Sequence, residues 1–191
     1  MYKPDDGLMR CSWAFASDLM CQYHDHEWGV PVYDDHEMFE RLILEGFQAG
    51  LSWRTILHKR ENFLRAFDNF DAHKIAAYDE DKIQALLQDA GIIRNRLKVR
   101  GTVRNAQAYL DIVASQGRFS DWLWQFVDHQ VQRASPRWTE ATQPSETAES
   151  KAMSKALKKA GFTFVGPTIC YALMQSVGMV DDHVEGCFKG R

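Results

Sequence analysis

The sequence lacks the features that would carry the chain into or across a membrane. Its 191 residues contain no apolar run near the roughly eighteen residues of a membrane helix. The first six residues, Met-Tyr-Lys-Pro-Asp-Asp, also lack the basic-then-apolar order of a signal peptide. We therefore expect a cytoplasmic protein without a membrane partner. In that compartment its 4 cysteines indicate free thiols or metal ligands more often than disulfides.

The chain also lacks the positive charge of a generic polyanion binder, because its formal net charge is −3. The charge is unevenly spread, with ten acidic and three basic residues in the first fifty. Segments 91–104 and 151–164, in contrast, contain basic residues and no acidic ones. A molecule with a phosphate-facing side and a molecule with two solvated helix faces both fit this pattern.

The hydrophobic residues, 45% of the chain, can bury a core as one domain or as a domain with a small lobe. They recur at three- and four-residue steps along nearly the whole chain, and Asp34 or Asp35 can serve as the N-cap of one such segment. No alternating runs are joined by a tight Asn-Gly or Asp-Gly turn, so we predict an all-α fold without a sheet. Segment 134–150, rich in Ser, Thr and Pro, predicts a surface loop.

Four residues near the two ends of the chain have the side chains that tetrahedral zinc prefers: Cys11, His24, His183 and Cys187. With all four positions filled by protein, such a zinc would be structural and would join the two ends. The spacing of His183 and Cys187 alone also fits one face of an ordinary helix, so metal binding stays open on spacing. Cys21 and Cys170 lie in apolar runs, which predicts that they pack in the core.

A helical stripe that stops at Gly91 is followed within a few residues by a second helix, which predicts a helix-hairpin-helix over about 82–104. In that arrangement the backbone N–H groups of the turn and the positive end of the second helix hold a phosphate without reading any base. Nearby cations would add sequence-independent attraction. The candidate contacts to the DNA backbone are Gly91, Ile93, Arg94, Arg96 and Lys98. A plain helical hairpin with a glycine cap is the alternative.

The candidate chemistry lies early in the chain, where Tyr23, Trp28, Glu45 and Trp53 occur within about thirty residues. On a helix from 35 to 49, the side chain of Glu45 would project from the edge of the apolar face. Its carboxylate would then point toward the rim of a pocket. Aromatic rings with one carboxylate suit a flat, electron-poor or cationic heterocycle, since the rings sandwich it and the carboxylate accepts from its N–H groups. For the tryptophans, plain core packing is the alternative.

Seven blocks together resemble the 3-methyladenine DNA glycosylase I family, which belongs to the helix-hairpin-helix glycosylase superfamily. They occur in the family's order at 10–13 (RCSW), 23–31 (YHDHEWGVP), 44–53 (LEGFQAGLSW), 89–94 (DAGIIR), 155–159 (KALKK), 164–171 (FVGPTICY) and 182–187 (DHVEGC). The resemblance implies one functional unit over 1–191 with the all-α fold of that superfamily. It also implies a structural zinc that joins segments 1–30 and 165–191 through Cys11, His24, His183 and Cys187.

The activity implied by the resemblance is base excision DNA repair. The enzyme hydrolyses the N-glycosidic bond of 3-methyladenine in alkylated double-stranded DNA, releases the free base and leaves an abasic site. Methylation at N3 makes the base cationic within the nucleotide, so the bond is already weak and a strong general base is less necessary. No Schiff-base lysine is implied, so we expect a monofunctional glycosylase without lyase activity. We also expect a monomer.

The resemblance assigns the pocket residues as well. Trp53 stacks on the flipped base, and Glu45 accepts a hydrogen bond from the N6 amino group or an N7–H form. Tyr23 and Trp28 shape the wall, and Glu45 and Tyr23 are the expected catalytic residues. Family members usually have a tyrosine at the position of Met20. A methionine there can pack on a purine through its sulfur, but it cannot donate a hydrogen bond.

Two other functions fit parts of the sequence. In a zinc hydrolase the metal would keep an open position and activate water. In a non-catalytic DNA-binding module the hairpin and the basic segments would be the whole function. Neither alternative requires the aromatic residues grouped with Glu45.

Overall fold

A computed structural model describes residues 4–190; residues 1–3 and 191, at the ends of the predicted unit, lie outside the described residues. Within that range the chain is mostly helical, which confirms the predicted all-α class. No described helix is long and apolar enough to cross a membrane. The described helices are α1 (Asp18–His26), α2 (Asp35–Gln48), α3 (Trp53–Leu57), α4 (Arg60–Ala66), α5 (Ala72–Ala76), α6 (Glu80–Gln88), α7 (Arg96–Gln116), α8 (Phe119–Trp124), α9 (Ala148–Lys159) and α10 (Pro167–Ser176).

Helix α2 lies between two apolar clusters, and every residue from 38 to 47 is buried. One side of α2 contributes Met38 and Leu42 to a cluster with α8, α9 and α10. The other side contributes Phe39 and Phe47 to a cluster with α4, α6 and α7. A surface helix buries only one stripe, whereas α2 is covered on both sides. Its polar residues, including Glu45, are therefore buried too.

Both candidate cap residues of α2 act as caps, but on different helices. The carboxylate of Asp34 accepts the N–H of Glu37 at 2.9 Å and caps α2. The carboxylate of Asp35 instead accepts the N–H groups of Phe119 and Ser120, at 3.0 and 2.9 Å, in the first turn of α8. Helix α8 has no side-chain cap of its own. The interaction therefore fixes α8 to the start of α2.

Within residues 4–190 one pairing of strands shows that the prediction of no sheet was wrong. Strand β1 (Gln132–Arg133) runs parallel to strand β2 (Val180–Asp181). Two residues are too few to show an alternating pattern, so this pairing depends on tertiary contacts. Strand β1 lies immediately before the predicted loop 134–150. That loop ends slightly earlier than predicted, because α9 begins at Ala148.

Contacts to both ends of the chain hold this loop in place. The backbone N–H and hydroxyl of Ser12 donate to the carboxylate of Glu140 at 2.6 and 2.7 Å. The N–H of Glu185 donates to the carbonyl of Trp138 at 2.9 Å. The loop is thus fixed beside the N- and C-terminal segments.

The capping role of Asp35 predicts a specific stability change. We expect Asp35→Ala to lower the free energy of unfolding at pH 7 by about 1–2 kcal/mol, because two amides of α8 lose their acceptor. Burial alone would raise the pKa of Asp35, but the hydrogen bonds from Ser120 and Phe119 outweigh it and lower this pKa. A depressed pKa contributes stability above the unfolded value that is lost as pH falls through the folded value. Urea unfolding should therefore show that the difference in the free energy of unfolding between the wild type and Asp35→Ala becomes smaller toward pH 2.

Asp111→Ala is the matched control, because Asp111 is an exposed acid within α7. Equal losses for the two variants, or a deficit of Asp35→Ala that does not depend on pH, would contradict the capping role.

Candidate active site

A cavity of about 570 Å³ opens where the N-terminal segment meets α2, α3 and α10. All five residues that the sequence analysis assigned to base binding line it: Met20, Tyr23, Trp28, Glu45 and Trp53. Further lining residues are Trp13, Ala16, Gln48, Ser52, Arg54, Gln143, Ala172 and Gln175. The structure thus brings the predicted aromatic and carboxylate residues to one cavity.

Short helices position these side chains. Met20 and Tyr23 lie three residues apart on α1, so both face the cavity from one side of that helix. The hydroxyl of Ser52 accepts the N–H of Thr55 at 3.2 Å and caps α3, which makes Trp53 the first residue of the helix. The rings of Tyr23 and Trp53 lie 5.3 Å apart between centroids and tilt by 42°. A flat ligand can therefore contact two aromatic surfaces.

Three buried polar atoms in this cavity have no hydrogen-bond partner within residues 4–190. They are the hydroxyl of Tyr23, Oε2 of Glu45 and Nε1 of Trp53. Leaving a buried donor or acceptor unpaired costs roughly 1–3 kcal/mol, so such groups usually await a partner. Together they offer an acceptor and two donors to a polar heterocycle.

Burial controls the electrostatics of the cavity. It raises the pKa of Glu45 from 4.5 to about 8, although Ser176 and Arg41 act in the opposite direction. Burial, followed by the nearby Glu45, also raises the pKa of Tyr23 well above its usual range, so its hydroxyl stays protonated. The guanidinium of Arg41 lies 5.6 Å from the centre of the Tyr23 ring and is held by Glu27 at 2.8 Å. A positive charge thus supports the wall of the cavity.

Several lining residues were not predicted from the sequence as pocket residues. The ring of Trp13 packs edge-on against that of Trp28, with 5.1 Å between centroids. Trp13 belongs to block 10–13 of the family resemblance, which is the sequence signal that marks it. Gln143 comes from the loop before α9, and its amide donates to the backbone carbonyl of Asp182 at 3.2 Å. Gln175 from α10 donates to the carboxylate of Asp182 at 2.8 Å. No local sequence pattern marks either glutamine.

Beside the cavity, three of the four predicted metal ligands form a buried cluster. The ligand atoms of Cys11, His24 and Cys187 all lie within 4.8 Å of one another. Sγ of Cys187 is 3.4 Å from Nε2 of His24. Hydrogen bonding to Cys11, and then to His24, lowers the pKa of the Cys187 thiol, and the same hydrogen bond to Cys187, followed by burial, raises the pKa of the Cys11 thiol. This arrangement can hold a soft or borderline cation.

His183 borders this cluster but does not join it within the same 4.8 Å limit. Its Nε2 is buried without a partner among the described residues, and its ring lies 5.2 Å from that of His24. The ring fits only because residue 29 is glycine, at φ +77°, where a Cβ would lie 2.6 Å from Cε1 of His183. The unpaired nitrogen makes His183 suitable as a fourth ligand.

His24 and His183 each have a carboxylate behind the ring. Asp25 lies 2.8 Å from Nδ1 of His24, and Asp181 lies 2.9 Å from Nδ1 of His183. Such carboxylates fix the tautomer that leaves Nε2 free to bind a metal. In both histidines Nε2 is therefore the available ligand atom.

The predicted hairpin consists of α6, a turn over 89–95 and α7. The amide of Gly91 is already occupied, because it donates to the carboxylate of Asp89 at 2.7 Å. The backbone N–H groups of Ile93 and Arg94 have no acceptor within the described residues. Arg94 and Arg96 are exposed, whereas Lys98 is only 7% exposed. The five predicted backbone residues therefore differ in what they can offer a phosphate.

Comparisons with known proteins identify the family of this chain. A family model described as methyladenine glycosylase matches residues 13–190. DNA-3-methyladenine glycosylase 1 of Escherichia coli (strain K12) is 50% identical over 184 residues, which cover 94% of this chain and 96% of the relative. A DNA-3-methyladenine glycosylase of Haemophilus influenzae (strain ATCC 51907 / DSM 11121 / KW20 / Rd) is 47% identical over 179 residues, with coverage of 93% and 96%.

Solved structures give the same result. The crystal structure of a 3-methyladenine DNA glycosylase I has a TM-score of 0.91 and 47% identity, and the match covers 94% of this chain and 98% of that one. A 3-methyladenine DNA glycosylase I from Staphylococcus aureus, solved to explain 3-methyladenine recognition, has a TM-score of 0.90 and 33% identity, with coverage of 95% and 96%. By matched length and by identity, the chain belongs to the methyladenine glycosylase family.

Proposed function

We propose that this protein removes 3-methyladenine from alkylated double-stranded DNA in base excision repair, by hydrolysis of the N-glycosidic bond. The observation that carries the proposal is the set of unpaired polar atoms of Tyr23, Glu45 and Trp53 in an aromatic cavity. The names of the relatives, which share about half of its sequence, support the same substrate. The product is a free base and an abasic site.

Binding begins when the damaged nucleotide rotates out of the duplex into the cavity. Trp53 stacks on the base, and Oε2 of Glu45 accepts a hydrogen bond from its N6 amino group or an N7–H form. The hydroxyl of Tyr23 donates to the base, while Trp28 closes the wall. Met20, buried at 5% exposure, packs on the purine through its sulfur. Glu45 and Tyr23 are the groups that act on the reacting nucleotide.

Charge explains the selectivity. The ionised Glu45 favours a cationic 3-methyladenine nucleotide over neutral adenine, and the aromatic faces attract the same positive charge. The lesion also leaves as a neutral molecule, so the enzyme needs only to extrude it, hold it and stabilise charge that develops on the sugar. None of the described residues that line the cavity is a lysine. This composition supports a monofunctional glycosylase without a Schiff-base lyase step.

The hairpin is the proposed binding site for the DNA backbone. The enzyme is proposed to act as a monomer. The N–H groups of Ile93 and Arg94 would bind one phosphate, while the Arg94 and Arg96 side chains add sequence-independent attraction. Gly91 contributes by its lack of a side chain, because a Cβ there would lie 3.2 Å from Asn62 and 2.9 Å from Asp89. Its own amide holds the turn together.

The proposed cofactor is one structural zinc held by Cys11, His24, His183 and Cys187. The residues fit, because three donors are already grouped and the buried Nε2 of His183 has no other partner among the described residues. Four protein ligands leave no position for water or substrate, so the metal would supply stability and not Lewis-acid chemistry. It would join segments 1–30 and 165–191 and hold Trp28, whose ring lies 4.7 Å from that of His183. The terminal residues 1–3 and 191 are outside the described residues.

Release of free base from methylated duplex DNA tests the function. We expect the folded wild type to release 3-methyladenine but not 7-methylguanine. Above pH 8, where Glu45 is ionised, Glu45→Gln should slow release roughly 10- to 100-fold, because it replaces a charged acceptor with a neutral one. Trp53→Ala should slow it by a similar factor, because stacking contributes about 1–3 kcal/mol per base.

Glu61→Gln, at an exposed position on α4, is the matched control and should retain full activity. A folded wild type that releases no 3-methyladenine would overturn the proposed function. Full activity in both cavity variants would show that the reaction takes place elsewhere.

The raised pKa of Glu45 predicts a pH profile. The value of kcat/KM reports ionisation of the free enzyme, so it should rise with a midpoint near pH 8, where Glu45 becomes charged. The profile of Glu45→Gln should lose this rise. Because the folded pKa lies above the ordinary value, ionisation costs stability as pH increases from 4.5 to 8. In thermal melts, the melting temperature of Glu45→Gln should therefore rise relative to that of the wild type as pH increases over that interval.

The zinc proposal predicts that two neighbouring histidines behave differently. His24→Ala should abolish stoichiometric zinc in purified protein and lower the melting temperature, because a buried ligand is lost. His26→Ala should retain zinc and stability, since His26 is exposed. Metal analysis and thermal melts of both variants give the comparison. Equal losses would contradict the assignment of ligands.

A further inference from the structure

Lys98 belongs to the hairpin helix, yet its charge faces the protein interior. It lies in the first turn of α7, where the side chain of Asn95 accepts its backbone N–H at 3.1 Å. Its Nζ donates to the carbonyl of Phe47 at 2.8 Å and to the carbonyl of Ala49 at 2.6 Å. With both hydrogen bonds directed inward and 7% of the residue exposed, this ammonium is not available to a phosphate in the way that Arg94 is.

The two carbonyls that Lys98 binds lie at the end of α2. This end has no basic residue of its own in the last turn. Terminal carbonyls of a helix lack intrahelical partners and carry partial negative charge, so an ammonium stabilises them. Burial lowers the pKa of Lys98, as expected of a cation removed from water. Burial of the Lys98 ammonium thus costs free energy, and its hydrogen bonds to the two carbonyls offset this cost.

This end of α2 is close in sequence to the most important cavity residues. Glu45 precedes Phe47 by two residues, and Trp53 follows Ala49 by four. Gln48 and Ser52, in the same stretch, also line the cavity. Lys98 therefore links the first turn of the hairpin helix to the segment that presents both the acceptor and the stacking ring.

A second contact keeps α7 and α2 together. A Cβ at Gly101 of α7 would lie 2.7 Å from Oγ1 of Thr163 and 3.2 Å from the ring of Phe164. A Cβ at Gly46 of α2 would lie 3.4 Å from Cβ of the same Phe164. Both helices therefore pack closely against Phe164.

We propose that Lys98 is a positioning residue that sets the distance and orientation between the phosphate-binding hairpin and the base cavity. The inference rests on the proposed function, because it assumes that one DNA molecule occupies both sites. A nucleotide reaches the cavity only if its neighbouring phosphate is held at the correct distance. The Lys98 ammonium maintains this geometry without touching the DNA.

The experiment compares Lys98→Met with Arg94→Met, which removes a side chain proposed to bind phosphate. Three quantities are measured: base release from methylated duplex DNA, the salt dependence of binding to duplex DNA with an abasic-site analogue, and binding of free 3-methyladenine. For Lys98→Met we expect kcat to fall at least about tenfold, with an unchanged salt slope and free-base affinity within about twofold of the wild type. For Arg94→Met, which loses a proposed phosphate contact, the log–log salt slope should fall by about 0.9 and the KM for methylated duplex DNA should rise.

Lys98→Arg should recover part of the lost kcat, because a guanidinium can still donate to both carbonyls. If Lys98→Met does not fold, Lys98→Arg replaces it in the test. A folded Lys98→Arg with a kcat below that of the wild type and an unchanged salt slope would support the positioning role. A salt slope that falls by about 0.9 in Lys98→Met would make Lys98 a phosphate contact and overturn the inference. Unchanged kcat, or a parallel loss of free-base binding, would overturn it as well. A wild type that releases no base would instead defeat the proposed function itself.

Discussion

The burial of α2 on both sides is the constraint on which the rest of the structure depends. A helix enclosed by two apolar clusters must bury its polar residues, and Glu45 is buried for this reason. Both ends of the helix are fixed by polar contacts from within the protein. Asp34 caps its start, and Lys98 binds the carbonyls at its end. The orientation of Glu45 is therefore set by the core and not by the surface.

Burial also gives the cavity its chemistry. The same loss of solvent that raises the pKa of Glu45 leaves its Oε2, the Tyr23 hydroxyl and the Trp53 indole without partners among the described residues. At buried positions, each unpaired group discriminates strongly between ligands that satisfy it and ligands that do not. A cavity with one carboxylate and several rings can therefore be selective when the substrate brings its own positive charge and a weakened bond.

The ends of the chain support this cavity from outside the core. Residues from both ends form the Cys and His cluster, and the loop before α9 is held to both ends through Ser12 and Glu185. That loop also carries Gln143 into the cavity wall. Trp28 lies at the junction, because it lines the cavity and packs edge-on against His183. Stability of the cluster and the shape of the cavity are thus physically connected.

By itself, the sequence determined the helical class through local periodicity. It also predicted the cavity residues and the soft ligands at the two ends, from residue type and from the resemblance of its blocks to one family. Tertiary structure alone decided which side chains meet across long separations. Asp35 caps a helix that begins 84 residues later, and Gln143 enters a cavity built mainly from the first fifty-four residues. It also turned Lys98 inward, although its neighbours Arg94 and Arg96 are exposed. The physical reason is that a long polar side chain takes the partner that packing places within reach, and the local sequence does not specify that partner.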